Sequence, residues 1–145
     1  MDRILIFGGR GQLGTECMAV LQGRYDLISL DIQDLDVGDP GQCRESMDRH
    51  QPAIVLNCAA FTDVDKCESE RAAASRVNTA APGVMAEWVE RHRAYLVHLS
   101  TDFVFDGSRR APEPYFEDDS PDPLSYYGRT KLEGEQAVSS RTERY

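Results

Sequence analysis

Short apolar runs alternate with stretches of helical spacing from the first residues onward. Ile4-Leu5-Ile6-Phe7 is unbroken by polar residues, the pattern of a strand buried on both faces. A glycine-rich turn, Gly8 to Gly14, follows it. Residues 12–21 then place Leu13, Cys17, Val20 and Leu21 on one helical stripe. Residues 25–30 read as a second strand leading into Asp31, and Leu35-Asp36-Val37 as a very short third. Residues 40–50 predict a helix with Pro40 in its first turn, where a missing N–H is harmless. Ala53 to Asn57 is the next buried strand. A helical stretch over residues 69–93 carries Val77, Ala81, Val84, Met85 and Trp88 at core spacing, and Pro82 is expected to kink or restart it. Residues 95–99 form a further strand. Residues 102–123 are rich in Pro, Asp, Glu and Gly. They make a loop of about 20 residues, beyond the ordinary length of a connection and so a candidate functional loop. Residues 125–140 predict a last helix.

Strands separated by helices of this length need right-handed crossovers, which predicts a parallel, doubly wound α/β sheet as one domain over residues 1–145. An open sheet of this type usually goes on after a helix, so the stretch ending at Tyr145 is expected to be the first portion of a larger unit. Apolar residues are 41% of the chain, enough for a core, and the net charge is −9. That charge repels phosphate backbones and argues against a nucleic-acid binder. It leaves open a nucleotide held by backbone N–H groups. No apolar run reaches membrane-span length, and Met1-Asp2-Arg3 leads directly into the first strand without a signal-peptide pattern. Cys17, Cys43, Cys58 and Cys67 form no CxxC pair and no disulfide framework, so reduced thiols in the cytoplasm are expected. His50, His92 and His98 lack ligand spacing, and no metal site is expected.

The chemistry begins in the glycine turn. Gly9, Gly11 and Gly14 spell GxGxxG, and Gly8, Gly11 and Gly14 spell GxxGxxG. The motif lies between a strand and a helix at the N-terminus, the context in which it binds a dinucleotide pyrophosphate. The competing reading is a plain strand-to-helix turn. Asp31, 17 residues after Gly14, can accept the adenosine ribose hydroxyls and so favours NAD. Arg10 leans the other way, since a guanidinium there could meet a 2′-phosphate. Asp36 and Asp39 could lie near the adenine, or be a loop carboxylate and a helix N-cap. Tyr127 and Lys131 stand four apart on the last helix and share a face, so the ammonium can favour the phenolate. Tyr126 points about 100° away and reads as packing. Ser100-Thr101 end a strand, where hydroxyls of an open sheet meet a ligand.

Several segments together carry a resemblance: FGGRGQLG (residues 7–14), NCAAFTDVDKCESE (57–70), Val77-Asn78, STDFVFDG (100–107) and PLSYYGRTKLEGE (123–135). They resemble the dTDP-4-dehydrorhamnose reductase family of the extended short-chain dehydrogenase/reductases. The resemblance implies a Rossmann-type sheet that uses NADH or NADPH to reduce a 4-keto-6-deoxy sugar nucleotide. Thr101, Tyr127 and Lys131 would be the catalytic triad. Gly8, Gly11, Gln12, Leu13, Gly14, Asp31, Ala59, Ala60 and Thr62 would bind cofactor, with Tyr127 and Lys131 touching it as well. Thr62, Val64, Asp102 and Val104 would meet the substrate, and Asn78 would be the helix-borne Asn near Lys131. Members continue into a C-terminal substrate domain, and a homodimer is compatible with the family. Cys58 stands where alanine is frequent, and Phe103 stands where a tyrosine is usual. Two other readings arise within the same resemblance: an NADP-binding regulatory subunit similar to methionine adenosyltransferase β, and a sugar-nucleotide epimerase.

Overall fold

A computed structural model describes residues 1–145. Four strands, β1 (Arg3–Phe7), β2 (Asp26–Leu30), β3 (Ile54–Asn57) and β4 (Tyr95–His98), form one parallel sheet in the order β2-β1-β3-β4. The register runs Phe7 beside Leu30 and Asn57, and Asn57 beside His98, so all four strands finish at one level. The order reverses direction between β1 and β3. Ligands of open α/β sheets bind beyond the strand ends at such a switch point.

Helix α1 (Gln12–Leu21) covers one face of the sheet, and α2 (Pro40–His50), α5 (Ala81–His92) and α6 (Tyr126–Ser139) lie on the other. The larger core gathers Leu5, Phe7 and Val55 from the sheet with Met47, Met85, Trp88 and Val138 from those helices. Trp88 and Met85 are core, as their spacing predicted; the indole N–H of Trp88 finds Asp48 Oδ1 at 2.7 Å. On the α1 face only Ile4, Ile6 and Leu56 are fully covered. The packed side of α1 is Cys17, Met18 and Leu21; Leu13 and Val20, placed on the stripe by sequence, are 45% and 67% exposed. Leu13 instead faces the cleft described below.

Three other expectations change. Residues 35–37 form no strand: Asp36 Oδ1 accepts the Gly38 N–H at 2.8 Å, a side-chain turn that competes with sheet pairing. The stretch expected to be helical from residue 69 starts earlier, with α3 (Val64–Ser69) capped by Asp63, and is then broken at Glu70 before α4 (Arg71–Ser75). Pro82 restarts the helix as expected, through an intervening π turn (Arg76–Ala80) that precedes the α5 segment in which Pro82 occupies the first turn. The long loop contains a 3-10 turn (Asp102–Val104) and is ordered by its own side chains. Arg109 lies 4.7 Å over the Tyr115 ring and pairs with Asp119 at 2.5 Å, while Tyr115 stacks on Phe105 at 4.5 Å.

Candidate active site

A cleft of about 960 Å3 opens at the C-terminal ends of the strands. Each strand delivers chain into it: Gly8 after β1, Asp31 after β2, Cys58 after β3, Ser100 after β4.

The turn between β1 and α1 is built for close backbone approach. Gly8 has φ +75°, in the left-handed region, and a Cβ on it would meet Ala59 N at 2.7 Å. A Cβ on Gly14 would lie 2.3 Å from the Gly8 carbonyl oxygen and 2.7 Å from Gly9 Cα. The helix therefore starts against the loop itself. Helices α2, α3 and α6 are capped by the side chains of Asp39, Asp63 and Ser125. The N-terminus of α1 has Gly11 at its cap, no side-chain cap and no acidic residue in its first turn. Its first N–H groups and positive dipole end face the cleft uncompensated, which suits an anionic diphosphate.

Asp31 sits beside this turn. One oxygen accepts the Arg10 N–H at 2.9 Å and the other the Ile32 N–H at 2.8 Å. A carboxylate has about four acceptor positions, so room remains for ribose hydroxyls. The Arg10 guanidinium contacts Gln33 Oε1 and lies 3.5 Å from Asp34 Oδ1, at the same end of the cleft. Asp36 also lines the cleft, whereas Asp39 is the N-cap of α2.

Tyr127 and Lys131 line the opposite end. The Tyr127 ring meets Phe103 edge-on, with centroids 5.6 Å apart and planes at 76°. Lys131 is 3% exposed, and its ammonium donates to the Leu99 carbonyl. Burial pushes its pKa down to about 8 against the opposing pull of Glu135. Beneath it, Asn57 donates to His98 Nδ1 at 3.1 Å, leaving the buried Nε2 of His98 without a partner. Burial and the nearby ammonium lower the His98 pKa to about 4, so the ring is neutral at neutral pH. All four cysteines are free. Burial raises Cys43 to about 12, and burial together with Cys17 raises Cys58 to about 11, so neither is a thiolate nucleophile.

Asn78 ties the loop after β3 to α6. Its Oδ1 accepts the Phe61 N–H at 2.8 Å, and its Nδ2 donates to the Phe61 carbonyl at 3.0 Å and to Thr130 Oγ1 at 3.1 Å. Thr130 donates in turn to the Tyr127 carbonyl at 2.9 Å. Tyr126 is a clamp for the same helix: its hydroxyl bonds Ser75 Oγ at 2.8 Å and its ring lies 4.7 Å under Arg71.

The structure thus brings Gly8, Gly11, Gln12, Leu13 and Gly14 into one cleft with Asp31, then Ala59, Ala60 and Thr62, then Tyr127 and Lys131. It does not bring Thr101, Val64, Asp102 or Val104 into that lining. Thr101 caps the 3-10 turn, its Oγ1 accepting from Phe103 N at 3.2 Å, one residue beyond the lining residue Ser100. Asp102 and Val104 lie in that turn, with Val104 6% exposed, and Val64 opens α3. The cleft also contains Phe61 and Val77, which no motif singled out as ligand-facing. Val77, expected in the core from its spacing, lines the cleft instead and is only half-buried; for Phe61 the signal was a large apolar residue in a polar loop.

The four-stranded parallel sheet with its flanking helices and the glycine turn after β1 define a Rossmann-type architecture. The chain belongs to the RmlD substrate binding domain family, whose model matches residues 1–145. It is 47% identical over 138 residues to the probable dTDP-4,6-dihydroxy-2-methyloxan-3-one 4-ketoreductase of Streptomyces antibioticus, covering 94% of this chain and 46% of that protein. Among solved structures, a dTDP-4-dehydrorhamnose reductase of Clostridium acetobutylicum superposes with a TM-score of 0.94 at 40% identity, over 99% of this chain and 51% of that one. The dTDP-4-dehydrorhamnose reductase of Bacillus anthracis, solved in complex with NADP, gives 0.93 at 36% identity over the same shares. The chain spans about half the length of the relatives it matches.

Proposed function

We propose that this chain is the nicotinamide-dinucleotide-binding half of a reductase acting on a 4-keto-6-deoxy sugar nucleotide. The observation that carries the reading is the shared cleft: Tyr127 and Lys131 on α6 face the glycine turn and Asp31 across one cavity at the strand ends. The names of its relatives and the NADP in the Bacillus anthracis structure support the substrate class and the cofactor. NADH and NADPH are both compatible with the cleft, through Asp31 and Arg10 respectively.

In this reading the N-terminus of α1 holds the diphosphate, Asp31 takes the adenosine ribose, and the loop at Ala59, Ala60 and Thr62 lines the middle of the cofactor. When bound, a reduced nicotinamide supplies the hydride. Tyr127, whose hydroxyl has no hydrogen-bond partner within the chain, gives its proton to the sugar oxygen. Lys131 stabilises the phenolate left behind and binds the second ribose. Thr101, from the turn after β4, hydrogen-bonds the carbonyl and polarises it. Thr62, Val64, Asp102 and Val104 border the sugar. We place the reaction in the cytoplasm, in keeping with the free thiols.

Holding a sugar nucleotide at reaction distance also requires contacts to its base and diphosphate, whose binding energy orients the reacting carbon. Turnover is therefore expected from this chain grafted in place of the matching half of a curated relative, and weak dinucleotide binding from the chain alone. The test is oxidation of NADH or NADPH by the chimera with a dTDP-4-keto-6-deoxyhexose. Tyr127→Phe keeps the ring packing against Phe103 and removes the proton, so turnover should fall by roughly 10²–10⁴-fold with little change in dinucleotide affinity. Turnover near that of the unmutated chimera would refute the assignment of Tyr127.

A further inference from the structure

Lys131 is a buried cation with an unusual set of neighbours. It is 3% exposed, and its one hydrogen bond is to a neutral carbonyl, that of Leu99 at the end of β4. The next residue, Ser100, donates from its hydroxyl to Glu135 Oε1. Lys131 and Glu135 are four apart on α6, so they stand on one face about 5–6 Å apart at their Cβ atoms. Two consecutive residues of the β4 end thus hold an ammonium and a carboxylate that follow each other on the same helix. Glu135 makes no direct ion pair with Lys131; its carboxylate is fixed by Ser100 within coulombic reach.

No other negative charge is set against that ammonium. The titratable groups bearing on it are His98 from β4, which is neutral at neutral pH, and Tyr127 and Glu135 from its own helix. Strand β3 contributes the uncharged Asn57 and the π turn the uncharged Asn78 and Thr79, which bond their neighbours rather than the ammonium. Helix α6 is packed directly against the π turn. A Cβ on Gly134 would lie 2.3 Å from the Asn78 carbonyl oxygen, so the helix backbone already rests on the π turn.

We propose that Glu135, held by Ser100, is a positioning residue: it is the counter-charge that keeps Lys131 protonated at neutral pH. The consequence for catalysis rests on the reductase reading, since a neutral Lys131 could not stabilise the Tyr127 phenolate. With Glu135 in place, burial already holds Lys131 down to about 8, so loss of the carboxylate would carry its titration into the neutral range.

The experiment uses the fact that the chain has two lysines, Lys66 and Lys131. With 13C-labelled lysine, the two Cε signals can be titrated separately, and the exposed Lys66 serves as an internal reference. Glu135→Gln should lower the Lys131 midpoint by about one pH unit, the size expected of a charge some 6 Å away at an effective dielectric of about 20–80. Glu135→Asp should restore most of it, Ser100→Ala should lie between, and Lys66 should not move. In the chimera the alkaline limb of turnover should shift down with the Lys131 midpoint. If Glu135→Gln disturbs folding by circular dichroism, Ser100→Ala and Glu135→Asp carry the test. An unmoved Lys131 midpoint in folded Glu135→Gln, or in Ser100→Ala where that variant carries the test, overturns the proposal. A chimera inactive at every pH, unmutated version included, counts against the reductase reading and leaves the titration to decide the role of Glu135.

Discussion

Two glycines three residues apart separate a folding requirement from a binding requirement. At Gly14 an added methyl would stand 2.3 Å from the Gly8 carbonyl oxygen and 2.7 Å from Gly9 Cα, where ordinary contact begins at 3.4 Å. Both obstacles are backbone, so no rotamer relieves them and the β1–α1 turn must open by about 1 Å. Overpacking of this kind costs typically about 1–3 kcal/mol. In a chain of this size that is a melting temperature lower by roughly 3–10 °C. At Gly11 the methyl would meet only the Gly8 carbonyl oxygen, at 3.3 Å, and φ is −70°, which alanine adopts freely. Gly11→Ala should therefore melt within a few degrees of the unmutated chain, given the modest cost of alanine for glycine at an N-cap. It lines the cleft, however, and its methyl would hold the diphosphate off the first N–H groups of α1. Losing one charge-assisted hydrogen bond at about 1.5–3 kcal/mol weakens dinucleotide affinity roughly 10–100-fold. Thermal melts and titration by the fluorescence of the reduced dinucleotide read the two effects separately. A Gly11→Ala chain that binds like its parent would show that this is only a strand-to-helix turn. A Gly14→Ala chain that melts like its parent would show that the turn is not closed on α1.

In the proposed cofactor reading, Asp31→Ala removes the ribose acceptor and the repulsion against a 2′-phosphate; it also frees the Arg10 N–H. The preference should move toward NADP(H), with weaker binding of NAD(H), in titrations of both; an unchanged ratio would remove Asp31 from the cofactor site. His98 predicts an acid-side loss of stability. Its folded pKa of about 4 lies below the unfolded value of 6.5, so between those pH values the unfolded chain takes up a proton that the fold refuses. Stability should be intact above pH 6.5 and fall by up to about 1.4 kcal/mol per pH unit below it. Asp106, held near 2 chiefly by the Tyr115 hydroxyl, titrates below that window. Urea unfolding at pH 7 and pH 4.5 tests this, and His98→Asn should flatten the difference.

The order of strands and helices could be read from the apolar runs because each run is buried by the period that predicts it. The bounds of α1, α2 and α6 fall where Gly11, Asp39 and Ser125 allow a helix to start. What the pattern hid lies in places where a side chain satisfies backbone locally. Asp36 turns residues 35–37 away from the sheet, and Asp63 starts a helix inside a polar segment. On α1, Leu13 leaves the stripe its periodicity suggested because it faces the cleft, and Met18 packs against the sheet beside Cys17 and Leu21. The glycine turn and the Tyr127–Lys131 pair were legible because their chemistry needs fixed spacing along the chain. Ser100, Glu135 and the Phe61–Asn78 staple were not, because each pair is joined only by folding, 35 and 17 residues apart.

The π turn explains how one helical segment serves both the core and the site. An extra residue in a turn rotates everything after it by about 100° relative to an uninterrupted α-helix. Before the turn, Ala74 is buried and Ser75 reaches Tyr126. Within it, Val77 lines the cleft, Asn78 staples Phe61 and Thr130, and Thr79 Oγ1 donates to the Thr130 carbonyl at 2.9 Å. After it, Val84, Met85, Trp88 and Val89 enter the main core. Three successive faces thus meet three different partners without a loop between them. The loop that carries Phe61 and the helix that carries Tyr127 and Lys131 are consequently fastened to the same helical segment. A shift of α6 large enough to misplace Tyr127 would have to break the Asn78 bonds to Phe61 or Thr130. These bonds set the placement of the β3 loop relative to α6.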